Sequence, residues 1–472
     1  MGFKSRFIGS RQPHHISGLF CETALSAPSQ PSQRNVEEEG KKFMRKAYKV
    51  LMLVENLPVP ADPRVWAEAT TLRDAGFQVS VICPKGPIKH QEAYTCIDSI
   101  SIYRYQLPAS SNKYTSYFAE FGTALLKTFW LSWKVLLRHG FDVIHAANPP
   151  DLFFLIGLFY RLLGKKYVFD QHDLAPEMFL VKFHGHLTFA RMLVHQLLLF
   201  FEWCSYQVAH YVIATNLSQK SNATQRGRCS PGKVFVVRNG PDLKRLKPVA
   251  PEADLKRGRR YLLAYIGVMG QQDGVEYALH ALHELVHKRG RQDVALVLMG
   301  DGDHAATLRK LAHELELDSY VNFTGWTESR DIVRYLTVAD VGLSPDPQNG
   351  LNEFSTMIKT MEYMAMGKPV VAFDLAETRL SAQAAALYAK PNLVQDFADK
   401  IETLLDNEEL RLKLGAYGRK RIKEELHWEV SKEHLLLVYK RLFPEWFEIE
   451  DTGVQTVTSV KTSVEEKISI HR

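Results

Sequence analysis

Three polar residues in one short stretch carry the strongest chemical signal. In NEFSTMIKTMEYMAMGKPVVAFD (352–374), Glu362 lies three residues after Lys359 and seven after Ser355. On a helix over 355–366 all three share one face, and Phe354, Ile358, Met361 and Ala365 turn toward a core. Ser355 is then the N-cap. A helix N-terminus presents unpaired N–H groups and the positive end of a dipole, which favours an anion. Lys359 adds a full charge one turn in. Glu362, a turn further, is placed to accept hydrogen bonds from a pair of hydroxyls. An anion followed by a diol is the chemistry of a nucleoside diphosphate and its ribose. The spacing of Lys359 and Glu362 equally suits an ion pair on a solvated face. The Pro/Gly-rich loop SPDPQNGLNE before them favours the site.

Such residues need elements to hold them. Order is expected to begin at the apolar strand YKVLMLVE (48–55). Asp62 and Pro63 supply an N-cap and a first helical position. The helix stops at Gly76, and QVSVIC (78–83) completes a β-α-β unit. Further strands are expected at 141–147, 165–173, 210–216 and 233–240. A second series follows at 261–268, 294–302, 320–326, 339–345 and 368–374, with helices over 274–290, 303–317 and 328–338. Short apolar strands alternating with amphipathic helices imply parallel sheets covered on both faces. The fold class is therefore α/β: two Rossmann-like, doubly wound domains facing across a cleft. Ligands of such sheets sit at the carboxyl ends of the strands.

Composition sets outer bounds. A length of 472 residues allows two domains. A net charge of +6 permits an anionic partner without requiring one, and no nucleic acid is expected. Five irregularly spaced cysteines without C-x-x-C argue against a disulfide framework or zinc site and for a cytoplasmic setting. The most apolar region, 192–214, is interrupted by His195, Gln196, Glu202 and His210. It is expected as a buried helix followed by a strand, not as a membrane span.

At EYMAMGKPVVA (362–372) the sequence resembles the E-A-M-A-x-G-x-P-V-V-A signature of retaining glycosyltransferases of family 4, which have the GT-B fold. GFQVSVIC, VIATN with VVRNGPD, LVLMGDGDH, VNFTGW and LHWEVSKEHLLLVYKRLF resemble further family segments in the expected order, over about 48–445. The resemblance implies transfer of a sugar, with retention, from a nucleotide-diphosphate sugar to a hydroxyl acceptor, and neither cofactor nor metal. Composition and element pattern, together with the resemblance, divide the chain into a disordered leader (1–46), an acceptor-side domain (47–240), a nucleotide-sugar-binding domain (241–427), a helix packing back toward the first domain (428–447) and a disordered tail (448–472).

The resemblance also assigns residues. Glu362 would bind the donor ribose. The glutamate that touches the transferred sugar stands eight residues earlier in the family; here that position is Phe354, and adjacent Glu353 is the candidate. Ser355, Thr356, Gly267, Asn239 and Arg64 complete the donor-binding set. His172, in FDQHDLAPE (169–177), would contact the sugar, with Asp173 orienting it. The family's G-R-x-x-x-x-K-G reads GVMGQQDG (267–274) here, so Val268 and Asp273 replace the two cations that neutralise the leaving diphosphate. Charge still develops there, and Lys359 is the candidate replacement, ahead of Arg64 and Arg238. The catalytic set is thus His172, Glu353 and Lys359. DGD (301–303) has the D-x-D spacing that binds metal in unrelated transferases; here Asp303 is expected to N-cap a helix. ANPPDLFF (147–154) is a second cleft loop without an assignment.

Residues 114–138 read as one amphipathic helix carrying Lys127, Lys134 and Arg138 on one face, with Leu126, Phe129, Trp130, Trp133 and Leu137 over much of the rest. It suits core packing or an anionic membrane surface. The second option makes a lipid-linked saccharide of surface polysaccharide assembly a candidate acceptor, and the protein peripheral at the inner face of the cytoplasmic membrane. Two other readings stay open. One is a nucleotide-sugar epimerase or a phosphorylase on the same fold. The other is a non-catalytic nucleotide-binding or scaffold protein, suggested by Val268 and Asp273.

Overall fold

The computed structural model describes residues 47–86, 89–108, 114–182 and 188–447. The expected leader (1–46) and tail (448–472) lie outside them. The N-terminal half is built on a sheet of β1 (Lys49–Leu53), β2 (Gln78–Pro84), β3 (Tyr94–Ile97), β4 (Ile100–Tyr105), β5 (Val143–Ala147), β6 (Lys166–Gln171), β7 (Tyr211–Ala214) and β8 (Val234–Val236). The order is β3-β4-β2-β1-β5-β6-β7-β8, parallel except for the β3–β4 hairpin. Its helices are α1 (Pro63–Asp74), α2 (Tyr114–Arg138), α3 (Phe154–Leu162), α4 (Ala175–Lys182), α5 (Phe189–Val208) and α6 (Leu217–Gln225). Asp62 accepts from the N–H groups of Arg64 and Val65 to start α1, and Gly76 ends it at φ +88, the left-handed step glycine takes without strain.

The C-terminal half repeats the plan with β9 (Tyr261–Ile266), β10 (Val294–Met299), β11 (Val321–Gly325), β12 (Val341–Ser344), β13 (Val370–Phe373) and β14 (Ala386–Ala389), ordered β11-β10-β9-β12-β13-β14 and parallel throughout. Around it lie α7 (Val275–His283), α8 (Ala305–Glu314), α9 (Ser329–Val338), α10 (Ile358–Ala365), α11 (Ala376–Ala382), α12 (Val394–Asp406) and α13 (Glu408–Arg421). Every residue of β9 and β10 is buried, as helices on both faces require. The chain then recrosses. From α14 (Trp428–Leu442), Leu435, Val438, Tyr439 and Leu442 enter the first half's core beside Val50, Met52 and Leu72. Each such side chain is worth about 1.5–3 kcal/mol of burial.

In the first sheet β1 lies between β2 and β5; in the second β9 lies between β10 and β12. The crossovers change direction at these points, which is where a doubly wound sheet opens a crevice.

Several elements differ from expectation. The β3–β4 hairpin and β14 fall outside the expected strands. The hairpin turns on Asp98 and Ser99, at φ 48 and 64, the positive-φ geometry of tight hairpins, without the usual glycine. α10 starts at Ile358, not 355. Asn352 donates to the carbonyls of Gln272 and Pro347 and pins a 3-10 turn, after which Ser355 and Met357 are extended. Ser355 therefore caps nothing: its hydroxyl donates to the Leu351 carbonyl at 2.9 Å. Ile358, expected inside, is 42% exposed. α8 begins after His304, so Asp303 is not its N-cap. The expected buried helix in 192–214 is a helix with only Glu202, Ser205 and Tyr206 buried.

Candidate active site

The second sheet's switch point is lined by the loops after β9 and β12. Gly267 opens the first, at φ +148, and a Cβ there would lie 3.5 Å from Lys359 Cε. Glycine thus brings backbone down over the lysine. Lys359, in the first turn of α10, is 8% exposed. Its Nζ lies 2.5 Å from Asp346 Oδ1, 3.8 Å from Asp273 Oδ1 and 5.0 Å from the centre of the Tyr265 ring. Asp346 follows β12 and also accepts from the Ser344 hydroxyl at 2.6 Å. Asp273 accepts from the Gly270 N–H at 3.0 Å, and burial lifts its carboxyl to about 6, against the pull of Lys359. Against the effect of burial, Asp346 and Asp273 raise the Lys359 ammonium above its ordinary value. One buried cation thus faces two carboxylates.

Glu362 sits one turn further along α10, equally buried. Burial raises its carboxyl, and Arg245 opposes that shift. Arg245 Nη2 is 2.5 Å from Glu362 Oε1, and Nη1 donates to the Ser329 hydroxyl at 3.2 Å. Lys359 and Glu362 therefore each pair with a different residue rather than with each other.

Across the cleft the first half holds a second charged cluster. Arg64 Nη2 lies 2.8 Å from Asp170 Oδ1 and 3.1 Å from Glu68 Oε1. Its Nη1 donates to the Val237 carbonyl at 2.9 Å and to Asn239 Oδ1 at 2.6 Å. This guanidinium is committed to internal partners, of which Asn239 Oδ1 is one, so Arg64 does not offer the free group expected for a diphosphate. Burial pushes the Glu68 carboxyl well up. Burial would do the same to Asp170, but Arg64 and His172 hold it well below the usual carboxylate range. Glu68, Asp170 and His172 converge as metal ligands do; the Arg64 guanidinium already supplies the cation there.

His172 Nε2 lies 2.5 Å from Asp170 Oδ2. An ionised carboxylate only accepts, so Nε2 points its proton at Asp170; in the neutral tautomer that leaves Nδ1 as an acceptor. Asp170, not Asp173, thus orients the ring. The 147–154 loop gains a role too: Asn148 Oδ1 accepts from the N–H groups of His172 and Asp173 at 2.6 and 3.2 Å. Behind the cluster, His145 Nδ1 meets the Tyr439 hydroxyl of α14 at 3.0 Å.

The two halves touch at the cleft floor. Asn216 donates to the Phe354 carbonyl and the Thr356 hydroxyl at 2.7 and 3.1 Å. Glu377 Oε1 accepts from the Ser218 N–H at 3.0 Å, and Oε2 lies 3.9 Å from Arg238 Nη1. Thr356 is thus an inter-half tie. Glu353 accepts from Gln348 at 2.6 Å. Gln348 lines a cleft of about 440 Å³ between α4 and the C-terminal half, whose wall includes Glu177, Gln272, Glu276, Asn349 and Asn392. Amides and carboxylates are the groups that hydrogen-bond sugar hydroxyls. Asp346, Asp170, Asn148 and Arg245 were not expected from the sequence. Only Asp170, two residues before His172 near the carboxyl end of β6, and Asp346, in the Pro/Gly-rich loop, had a readable signal.

Known proteins share this fold. The model of the family described as Glycosyltransferase Family 4 matches residues 64–245, and that of Glycosyl transferases group 1 matches 260–407. A GDP-mannose-dependent monoacylated alpha-(1-6)-phosphatidylinositol monomannoside mannosyltransferase of Corynebacterium glutamicum is 27% identical over 208 residues, 42% of this chain and 53% of that protein. The chain thus spans about half the length of that relative. Among solved structures, sucrose-phosphate synthase of Thermosynechococcus elongatus aligns with a TM-score of 0.67 at 18% identity, over 84% of this chain and all of that one. HepE of Anabaena, in complex with UDP-glucose, aligns with a TM-score of 0.60 at 16% identity, over 83% and 99%. The structural likenesses speak to the fold, and the family models reach both sheets and the cleft between them. The chain belongs to glycosyltransferase family 4 and has the GT-B fold.

Proposed function

We propose that the protein transfers a sugar from a nucleotide-diphosphate sugar to a saccharide hydroxyl, with retention at the anomeric carbon. One observation carries the reading: Lys359 and Glu362 lie a turn apart on an embedded helix beneath the loops of the second sheet's switch point. Glu362 exchanges Arg245 for the ribose hydroxyls. The Lys359 charge and the N–H groups at the start of α10 face the diphosphate. The bond from the anomeric carbon to the β-phosphate oxygen breaks, and the acceptor oxygen bonds that carbon on the same face. The acceptor proton passes to the departing phosphate oxygen. The products are a glycoside and a nucleoside diphosphate, and no protein base is needed. His172 Nδ1 accepts from a hydroxyl of the transferred sugar, and Glu353 reaches it through the Gln348 side of the cleft. Negative charge on the leaving group falls to Lys359, so the reading assigns no step to a metal.

The relative's name, with GDP-mannose as donor and a phosphatidylinositol mannoside as acceptor, supports a nucleotide sugar and a lipid-linked saccharide. The test is a thermal-shift series with UDP, GDP, ADP and TDP and their sugars, on wild type and Glu362→Ala. A ligand at a hundredfold its Kd stabilises by about 2.7 kcal/mol. One nucleotide is expected to raise the melting temperature of wild type alone, and its sugar to be turned over only with acceptor. Stabilisation without turnover favours the non-catalytic reading; no stabilisation by any nucleotide removes both.

A further inference from the structure

The N-terminal half carries a face that the cleft chemistry does not use. On α2, Leu126, Trp130, Trp133 and Leu137 are 71, 66, 37 and 81% exposed. Their spacing of four, three and four makes them one stripe. The opposite stripe, with Ala124, Leu131 and Val135, already fills the core. An ordinary surface helix puts charge where the outer stripe lies. The pattern continues on neighbours. Leu155, Leu158 and Leu162 of α3 are exposed, as are Phe189, Leu193, Leu197 and Phe200 of α5. Phe159 of α3 packs edge-on to Phe129 of α2 at 5.2 Å, and Phe154 of α3 lies 6.2 Å from Phe201 of α5. The three helices therefore pack side by side, and their exposed apolar residues lie on neighbouring helices. Single exposed leucines are ordinary, but a contiguous patch marks an interaction site.

We propose that the α2–α3–α5 face docks the protein on an anionic lipid bilayer. Charge selects this occupant. These helices carry Lys127, Lys134, Arg138, Arg161 and Arg191, against Glu120 and Glu202. Glu202 is buried against Arg226 at 2.7 Å. A second copy would bring like charge against like. Tryptophans beside lysines are the composition of a helix lying at the lipid–water boundary. Among the described residues no helix is long and apolar enough to cross a membrane, so the face rests on the bilayer rather than spanning it. α4 packs on α5 and turns Leu180 and Val181 into the cleft. An acceptor anchored in the bilayer would thus reach the cleft with its head group alone. That last step rests on the transferase reading; the docking does not.

The experiment is flotation of the full-length protein with phosphatidylcholine vesicles, with and without phosphatidylglycerol, at low and high salt. Wild type is expected to float with the anionic vesicles at low salt and to be released by high salt. Trp130→Glu/Phe200→Glu should lower partitioning at least about tenfold. Lys127→Ala/Lys134→Ala/Arg138→Ala should lower it about fivefold per residue and remove the anionic preference. This triple variant removes only surface contacts, Lys127 to the Gln106 carbonyl and Arg138 over the Tyr94 ring, so it stands if the first variant melts early. No flotation of wild type, flotation unchanged in both variants, or lipid-free self-association abolished by the same substitutions would each overturn the proposal. Flotation without sugar transfer sinks the transferase reading and keeps the face; transfer without flotation does the reverse.

Discussion

The two halves bury charge beside the same cleft in opposite ways. In the N-terminal half Arg64 meets Asp170 at 2.8 Å and Glu68 at 3.1 Å, and burial pushes the Glu68 carboxyl well up, which weakens it as a second counter-ion. The guanidinium's fork also reaches two backbone or amide oxygens. In the C-terminal half Lys359 meets Asp346 and Asp273, and one anion is in excess. A point charge on a flexible stem is easily shared with a third anion. The first cluster is closed and holds His172 in place. The second is unbalanced, and a diphosphate bound there, as proposed, would compete with a carboxylate.

The largest effect expected from this contrast is on stability. Arg64→Ala strands Asp170 inside the first core, and breaking a buried pair in this way costs about 3–5 kcal/mol. Urea unfolding should show an early transition, partly restored in Arg64→Lys, which keeps the charge but not the fork. A midpoint equal to wild type would mean that the cluster is not closed.

Lys359→Gln should divide its effect differently. Asp346 keeps the Ser344 hydroxyl and Asp273 takes up a proton, so stability falls less than in Arg64→Ala. Transfer should fall about 10²–10³-fold, as when one preorganised donor to a developing anion is removed. Steady-state kinetics beside a melting curve decide it. Full activity would move the role of phosphate cation to Arg238 or Arg245.

Much of this was legible in the sequence. The alternation of apolar strands and amphipathic helices located both sheets, because buried parallel strands leave continuous Val/Ile/Leu runs. β3 and β4 escaped because Asp98-Ser99 turns a hairpin without glycine. Lys359 and Glu362 stood out by type and spacing, yet their partners did not. Arg245 comes from a polar linker 117 residues before Glu362, and sequence distance hides such a pair. Ser355 misled because the pull of Asn352 on two carbonyls, a tertiary effect, overrides local capping preference. The exposure of α5 was illegible for a related reason: apolar periodicity shows that a helix has an apolar face, not what covers it.

The smallest effect tests the excess anion itself. The Asp273 carboxyl rises from an ordinary 3.8 to about 6 because of burial, with Asp346 adding to the rise. Between these values the folded protein holds a proton that the unfolded chain has lost. The group's contribution to stability is therefore full below the lower value and is lost as pH rises through about 6. Donor binding should follow the same sign. Protonation removes one negative charge from beside Lys359, so affinity for the nucleotide sugar should strengthen about threefold to tenfold on acidification, on the order of 1 kcal/mol between partly solvated charges. The intact sugar is the proper ligand, since a free terminal phosphate itself titrates near pH 6, as monoesters do. Asp273→Asn keeps an acceptor for the Gly270 N–H and removes the charge. It should bind the donor at the tighter, acid-limit affinity with a flat profile in calorimetry. Weaker binding by this variant would make Asp273 a ligand of the donor rather than a competitor for Lys359, and the contrast between the two clusters would dissolve.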